Sequence, residues 1–331
     1  MKTKLFIVVL SIIFSSQAFS QKIFSSDPFC HTYSIVARDT HTGEMGVAVQ
    51  SHWYSVGTIV SWAEAGAGAI ATQSFVNVSF GPRGLEMLRN GSSAQETLDK
   101  LINDDEARDV RQLAIVDKSG NVAAWTGKLC IAEAGHKTGA GFSVHANMML
   151  NNTVWDAMYS AFKISKGPLA ERLLTALKAA ESEGGDIRGR QSASLIVVKG
   201  ESTGKPWEDK LVDLRVDDSS EPLIELERLL KVHRAYEHMN AGDLAVEKGN
   251  MKLAMDEYSA AENMFPDNEE MKYWHAVTLA NNGSVQESLP LFKEVFVKNN
   301  NWKILTTRLP KVNLLNVSES DLQKILAAAE N

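Results

Sequence analysis

Cysteine is scarce in this chain, with only Cys30 and Cys130 among 331 residues. In an oxidising compartment these two thiols can form one disulfide at most. Two other interpretations stay open, because the thiols are equally compatible with idle side chains, and Cys30 is compatible with a nucleophile exposed by processing.

Positive charge is also in short supply, since 34 Lys and Arg are set against 41 Asp and Glu and the formal net charge is -7. There is no basic patch with interleaved aromatic residues, so we expect no nucleic-acid partner. Beyond the first twenty residues no apolar run reaches the length of a bilayer, so we expect no membrane span.

Metal and cofactor motifs are missing as well. The eight His residues are scattered, and no His pair has metal-ligand spacing with a Glu nearby, which disfavours a zinc hydrolase. The stretch Gly139-Ala-Gly141 lacks the third glycine of a dinucleotide site. We therefore expect neither a metal nor a cofactor.

Residues 1–20 have the features of a secretory signal peptide. Met-Lys-Thr-Lys is a positive start, Leu5 to Phe14 is a short apolar core, and Ala18-Phe-Ser20 supplies small residues before a cut at Gln21. We expect an exported protein, periplasmic or extracellular, in which residues 21–30 form a lead-in segment.

The strongest secondary-structure signal is a β-hairpin. Apolar and small residues alternate through His31 to Asp39 and again through Glu44 to Ser51, and a turn containing Gly43 joins the two stretches. Thr32 therefore lies at the head of the first strong strand. When a Thr is the amino-terminal residue, its own α-amine can act as base for its hydroxyl.

Further along, strand patterns and helix patterns come in groups. Strands are predicted over 111–117, 121–125, 140–149, 192–198 and 210–216, and helices over 81–89, 92–102, 153–164 and 169–181. This grouping favours sheets with helices packed outside them over a regular βαβ alternation. A four-layer sandwich, with two sheets between helix layers, fits the order best.

After Pro222 the pattern becomes continuously helical and contains a repeat. The spacing of Gly242, Gly249, Tyr258 and Pro266 is typical of a tetratricopeptide repeat, and a shift of 34 residues reaches a weaker second copy. We expect the helix 224–240 and the tail 301–329, broken at Pro310, to cap the array. Such repeats bind extended peptides, so a protein or peptide partner is expected here.

Several ordered motifs resemble the domain-of-unknown-function family 1028 (DUF1028). They are Thr32-Tyr-Ser-Ile-Val-Ala-Arg-Asp39, Gly68-Ala-Ile-Ala-Thr-Gln73, Gly81-Pro-Arg-Gly-Leu85, Arg111-Gln112, Gly185-Asp-Ile-Arg-Gly-Arg-Gln-Ser-Ala193 and Val212-Asp-Leu-Arg-Val-Asp217. The resemblance covers roughly residues 31 to 230, in a family grouped with the N-terminal nucleophile (Ntn) hydrolases. It implies an α+β fold, a four-layer αββα Ntn-hydrolase-like sandwich over residues 31–222, with the TPR-like helical domain at 223–331 outside it.

The resemblance also implies a chemistry, the hydrolysis of a small or peptide-like amide by Thr32. Activation would require cleavage after His31, whereas the signal peptide predicts a mature chain that begins at Gln21. Proteasome-like members use a Lys near the nucleophile, and this chain has none between Lys22 and Lys100.

The candidate site residues are polar residues embedded among the strands. As catalytic residues we expect Thr32, Ser51, Gln73, Asn77 and Asn147. As substrate-binding residues we expect His52, Thr72, Asp186, Arg190 and Gln191. The alternative to an Ntn amidohydrolase is a catalytically inactive binding or scaffold protein of the cell envelope, and exposed sheet edges are compatible with a homodimer.

Overall fold

A computed structural model describes residues 27–330 of the chain. The predicted signal peptide, residues 1–20, lies outside the described residues, as does most of the predicted lead-in segment 21–30. The chain divides into two compact units, of which the first ends at Leu223 and the second begins at Ile224.

Most strands of the first unit coincide with the stretches of alternating or continuous apolar residues, and the short β1 and the polar β8 do not. Their bounds are β1 Phe29–Cys30, β2 Thr32–Arg38, β3 Met45–Ser51, β4 Ser61–Glu64, β5 Gly68–Phe75, β6 Arg111–Asp117, β7 Val122–Thr126, β8 Gly135–Gly139, β9 Phe142–Ala146, β10 Ser192–Val198 and β11 Lys210–Val216.

These strands form two antiparallel sheets. One has five strands in the order β1-β5-β6-β7, with β4 also paired to β5, and the other has six in the order β11-β10-β3-β2-β9-β8. The predicted hairpin is confirmed, since Thr32 in β2 lies opposite Ser51 in β3 and Arg38 lies opposite Met45. Mixed helix and sheet, with antiparallel pairing, is therefore the fold class of this unit.

The helices of the first unit pack on these sheets. They are α1 Phe80–Arg89, α2 Ala94–Asn103, α3 Val154–Ile164, α4 Leu169–Ser182 and the short α5 Pro206–Asp209. Leu85 and Leu88 of α1 and Leu98 of α2 share one buried cluster with Ile70 and Leu113 of the five-stranded sheet. Helix α4 contacts β2 and β3, and α3 contacts β8 and β9.

A second buried cluster joins the two sheets. Val36 and Val47 come from the six-stranded sheet, and Ala71 and Val116 come from the five-stranded one. Successive side chains along a strand face opposite sides, so Thr32 lies on the same face of β2 as Val36. The head of β2 therefore presents Thr32 toward the five-stranded sheet.

The second unit is helical, as predicted. Its helices are α6 Pro222–Glu247, α7 Met251–Met264, α8 Glu269–Asn281, α9 Val285–Lys298, α10 Asn301–Thr306 and α11 Glu319–Leu326. The predicted end of the first helix near residue 240 is wrong, because α6 continues through Gly242. A Cβ at Gly242 would lie 2.8 Å from Cε1 of Tyr258, so the glycine serves close packing against α7 rather than a turn.

Two glycines of the repeat spacing do end helices. Gly249 follows α6 with φ +70° and Gly283 follows α8 with φ +84°, values in the left-handed region that glycine adopts without a Cβ clash. A 3₁₀ turn over Leu309–Val312 separates α10 from α11, which confirms the predicted break at Pro310. Within residues 27–330 no helix combines the length and the apolar character needed to cross a bilayer.

Candidate functional site

Thr32 lies at the head of β2 and is covered by the segment that precedes it. The residue is 0% exposed. Its Oγ1 donates a hydrogen bond of 3.2 Å to the Cys30 carbonyl oxygen and lies 3.4 Å from Cys30 Sγ. In the described chain the hydroxyl therefore faces back along the segment before it.

Two donors converge on the carbonyl oxygen of His31, the residue before Thr32. Ser51 Oγ donates at 2.5 Å and Arg188 Nη2 donates at 2.8 Å. Ser51 is in reach because the hairpin register places it opposite Thr32. Together they polarise the carbonyl of the His31–Thr32 peptide bond, and donors at such a position stabilise an oxyanion.

Arg188 is itself held by Asp186. The guanidinium donates to both carboxylate oxygens, from Nε to Oδ1 at 3.0 Å and from Nη2 to Oδ2 at 2.7 Å. The carboxylate also accepts the backbone N–H of His52 at 3.1 Å. Asp186 and His52, both predicted to bind substrate, thus lie beside the Thr32 site as supports of Arg188.

A cluster of side-chain amides holds the other side of Thr32. Gln73 Nε2 donates to the Thr32 carbonyl oxygen at 3.0 Å, and the Asn147 backbone N–H donates to the same oxygen at 3.1 Å. Both amides also donate to Gln112 Oε1, at 2.6 Å from Gln73 and 2.8 Å from Asn147. Gln73 and Asn147, both predicted as catalytic residues, therefore lie next to Thr32 and contact its carbonyl oxygen.

The amide cluster is anchored in the region between the sheets by a serine and a histidine. Ser34, two residues along β2 from Thr32, donates to Gln73 Oε1, and its Oγ lies 2.9 Å from His145 Nε2. Burial lowers the pKa of His145 to about 3, which keeps its ring neutral. A neutral, fully buried ring suits a structural support better than a base exchanging protons with solvent.

The His31 ring packs against aromatic rings and contacts the amide cluster. Its Nδ1 pairs with Asn147 Oδ1, and the ring centroid lies 4.1 Å from that of Phe29 and 5.4 Å from that of Phe75. Burial lowers the pKa of His31 to about 4, so this ring is also neutral near pH 7.

Both cysteines are free thiols, so the disulfide alternative has no support in the described residues. Cys30 Sγ is fully buried next to Thr32 and Ser51, and burial raises the pKa of its thiol to about 11. A protonated, enclosed thiol is a poor nucleophile, which disfavours the third interpretation of Cys30.

Two predicted residues, Thr72 in β5 and Asn77 between β5 and α1, make their contacts in the connection from β5 to α1. Asn77 Oδ1 accepts from both the N–H and the hydroxyl of Ser79, and Asn77 Nδ2 lies 3.5 Å from Asp105 Oδ2. Thr72 Oγ1 donates to the Asn77 carbonyl oxygen at 3.4 Å. Both side chains thus complete local turns in this structure.

Two other predicted residues belong to a surface network. Arg190 Nε pairs with Glu181 at 2.6 Å, and its Nη1 pairs with Glu221. Gln191 Nε2 donates to Asp218 at 3.1 Å. The side chains of Arg190 and Gln191 are therefore both bonded to neighbouring carboxylates.

Sequence reasoning did not select His31, Ser34, Gln112, His145 and Arg188. Two signals could have found three of them. Ser34 follows Thr32 at the two-residue spacing of a strand face, and Gln112 and Arg188 both fall inside the family motifs. His31 and His145 carry no sequence signal beyond their place in strands.

The described residues offer no ready-made metal site. Among residues 27–330, no group of three or more His, Cys, Asp or Glu side chains is arranged to hold a metal ion. The groups around Thr32 are hydroxyls, the Cys30 thiol, the Arg188–Asp186 pair and several amides.

Comparison with known proteins identifies relatives. A family model described as "Family of unknown function (DUF1028)" matches residues 32–226. Protein SPO2555 from Silicibacter pomeroyi, a DUF1028 protein of known structure, is 34% identical with a TM-score of 0.55, over 61% of this chain and 85% of that one.

A more distant likeness is to Anbu (ancestral beta-subunit) from Yersinia bercovieri. It is 12% identical with a TM-score of 0.29, over 60% of this chain and 92% of that one, too weak to carry an argument. No curated protein matches the sequence.

Proposed function

The chain belongs to the family of unknown function DUF1028, and we propose that its first unit is an amidohydrolase with Thr32 as amino-terminal nucleophile. The observation that carries this proposal is the pair of donors, Ser51 Oγ and Arg188 Nη2, on the carbonyl oxygen directly before Thr32. Amide cleavage needs such donors where negative charge develops on the carbonyl oxygen.

Activation begins at the His31–Thr32 bond. Thr32 Oγ1 attacks the His31 carbonyl carbon, the C–N bond breaks, the nitrogen takes the hydroxyl proton, and an ester forms. Water then hydrolyses the ester, leaving a carboxylate on His31 and a free amine and hydroxyl on Thr32. Ser51 and Arg188 stabilise the oxyanion of each tetrahedral intermediate.

Turnover uses the same groups. The free α-amine of Thr32 accepts the proton of Oγ1 as this oxygen attacks a substrate amide, and the proton then goes to the departing nitrogen. Water hydrolyses the resulting acyl ester and restores the hydroxyl. Gln73 and Asn147 hold the Thr32 carbonyl, so they act as positioning residues.

Arg188 supplies positive charge beside the nucleophile, which proteasome-like enzymes obtain from a lysine. Its guanidinium contacts the carbonyl directly before Thr32 and is oriented by two bonds to Asp186. The absence of a lysine between Lys22 and Lys100 is therefore compatible with an active site of this class.

The finer fold belongs to the same proposal. Helices on each sheet and a buried cluster between the sheets support a four-layer αββα Ntn-hydrolase-like sandwich. The helix-ending Gly249 and Gly283, 34 residues apart, support a TPR-like second unit that binds a protein or peptide partner. The features of residues 1–20 support export to the periplasm or beyond.

The second candidate is a catalytically inactive scaffold protein of the cell envelope. It is favoured by one observation, the complete burial of Thr32 beneath the residues that precede it. As long as residue 31 stays attached, the nitrogen of Thr32 is an amide and cannot act as a base.

The enzyme is tested by comparing the purified wild-type chain with Thr32→Ala. Both are incubated with a panel of peptide amides, and released amine is measured. We expect Thr32→Ala to lose at least about a thousandfold in rate, because nucleophile and base are lost together. Thr32→Ser should retain activity, and Thr175→Ala, an exposed threonine of α4, should match the wild type. Equal rates for Thr32→Ala and the wild type would favour the scaffold.

A further inference from the structure

The segment before Thr32 occupies a strand position at the edge of the five-stranded sheet. In β1, Phe29 pairs with Phe75 and Cys30 pairs with Ser74 of β5, both antiparallel. The Val76 N–H also donates to the Pro28 carbonyl oxygen at 2.9 Å. Strand β4 covers the other half of the same edge of β5, from Gly68 to Ala71. Residues 28–30 thus fill a gap that is one short strand long.

Three side chains of this segment have well-defined contacts. The carboxylate of Asp27 lies 2.8 Å from Arg111 Nη2, in a guanidinium that is almost completely buried. The Phe29 ring lies 4.8 Å from that of Phe75, edge to face. The His31 ring is buried and pairs with Asn147.

The carbonyl at the end of this segment is the one that the two donors hold. Ser51 and Arg188 contact the His31 carbonyl oxygen. In the proposed reaction, the acyl side of a substrate must present its carbonyl at this same place. Residues 27–31 therefore lie along the path that the acyl side of a substrate would follow.

We propose that the groove filled by residues 27–31 is the substrate groove, and that it binds an extended peptide by strand addition to β5. This inference rests on the proposed function, because cleavage before Thr32 is what vacates the groove. Main-chain hydrogen bonds to a sheet edge supply affinity in this mode, and pockets for individual side chains supply specificity.

The contacts define the preferred peptide. The residue before the cleaved bond carries a flat, neutral ring in the place of His31, since burial beside Asn147 disfavours a charged one. Two residues earlier an aromatic ring packs edge to face against Phe75, as Phe29 does. An acidic group two residues before that ring meets Arg111, as Asp27 does.

The direct test uses the chain that begins at residue 32, the product of the proposed cleavage, carrying Thr32→Ala so that it cannot react. A fluorescent peptide of residues 27–31, with Ser in place of Cys30, is titrated against it and anisotropy is measured. We expect saturable binding that weakens at least about tenfold when the peptide carries Phe29→Ala. No binding to the folded chain, or equal affinity for both peptides, overturns the proposal.

A second measurement uses the full-length chain with two substitutions, Thr32→Ala so that residues 27–31 stay attached and Cys130→Ser so that Cys30 is its one thiol. Cys30 is fully buried in β1, so its reaction with a thiol reagent reports displacement of this strand. Excess free peptide should accelerate labelling at least about tenfold, and the Phe29→Ala peptide should not. An unchanged labelling rate overturns the groove even if the chain from residue 32 fails to fold.

Neither measurement reads amide cleavage. If the chain binds the peptide yet cleaves no amide, the groove is supported and the proposed amidohydrolase activity is overturned. If the chain cleaves amides but does not bind the peptide, the amidohydrolase activity is supported and the proposed groove is overturned.

Discussion

At the scale of single residues, the backbone around Thr32 is held by hydrogen bonds to two carbonyl oxygens, that of His31 and that of Thr32 itself. The His31 carbonyl oxygen accepts hydrogen bonds from Ser51 and Arg188. The Thr32 carbonyl oxygen accepts hydrogen bonds from Gln73 and Asn147. One set of donors is placed where an oxyanion would form, and the other fixes the backbone of the nucleophile. Substitution of a donor in either set should therefore have its own measurable effect.

Ser51→Ala should slow cleavage of the His31–Thr32 bond by about a hundredfold, the usual effect of removing one oxyanion donor. The measurement is the rate of the corresponding mass loss in purified chain. Ser182→Ala, whose hydroxyl bonds only its own helix in α4, is the matched control. Cleavage of Ser51→Ala at the wild-type rate would remove this donor from the mechanism.

Stability should fall below pH 6.5 because two histidines are buried in neutral form. Burial lowers the pKa of His31 to about 4 and of His145 to about 3, from the ordinary 6.5. Between these values the unfolded chain binds protons that the folded chain does not. The free energy of unfolding should therefore drop by about 1.4 kcal/mol per pH step for each ring, and recover above pH 6.5.

Urea unfolding of the Thr32→Ala chain, in which His31 stays attached, measures this slope between pH 7.5 and pH 5, and the same chain is the background for His145→Gln. His145→Gln should remove the contribution of one ring, even where it lowers stability overall. A slope that is the same with and without His145→Gln would contradict the neutral state of His145.

The sequence alone could predict part of this site. Thr32 and Ser51 follow from the hairpin, and Gln73 follows from its place in a buried strand. Arg188 could not be placed, because a glycine-rich loop has no periodicity from which to infer where its side chains point. Asn77 looks equivalent to Gln73 in sequence, yet it bonds Ser79 at the start of α1.

At the scale of elements, long periodic stretches were easier to predict than short ones. The strands β2, β3, β6 and β10 and the helices α3 and α4 lie where apolar spacing places them. Strand β1 was missed because two residues carry no period, and its pairing depends on the distant β5. The predicted strand over 140–149 contains only β9, and β8 precedes it with polar residues at an exposed edge.

The start of α2 is fixed by local hydrogen bonds between side chains and the backbone. Two neighbouring serines precede this helix, and each has an amide or carboxyl side chain three residues on, Gln95 after Ser92 and Glu96 after Ser93. In the structure Ser93 and Glu96 form a complete capping box, each side chain bonding the backbone N–H of the other. One side chain thus satisfies a helix-end donor that would otherwise lack a partner.

Ser93→Ala should lower the free energy of unfolding by about 1 kcal/mol, the usual cost of losing such a cap. Ser92→Ala is the control, since it leaves the box intact. Chemical denaturation of the two variants measures the difference. A larger loss for Ser92→Ala than for Ser93→Ala would contradict the assigned cap.

At the scale of the whole molecule, three features bear on one event, the fate of the chain before Thr32. Residues 1–20 resemble an export signal, residues 27–31 fill the groove beside β5, and the family match begins at Thr32. We propose that an exported precursor becomes an enzyme when it loses its own amino-terminal strand. If that loss does not occur, the residues before Thr32 stay in place, cover its hydroxyl and leave the site inactive.

This proposed activation is tested by measuring the intact mass and amino-terminal sequence of the protein purified from its native exported fraction. We expect a chain that begins at Thr32, and a Thr32→Ala chain that keeps residue 31. A wild-type chain that begins at Gln21 and stays unchanged over time would rule out Thr32 as an amino-terminal nucleophile, because its α-amine would remain at residue 21.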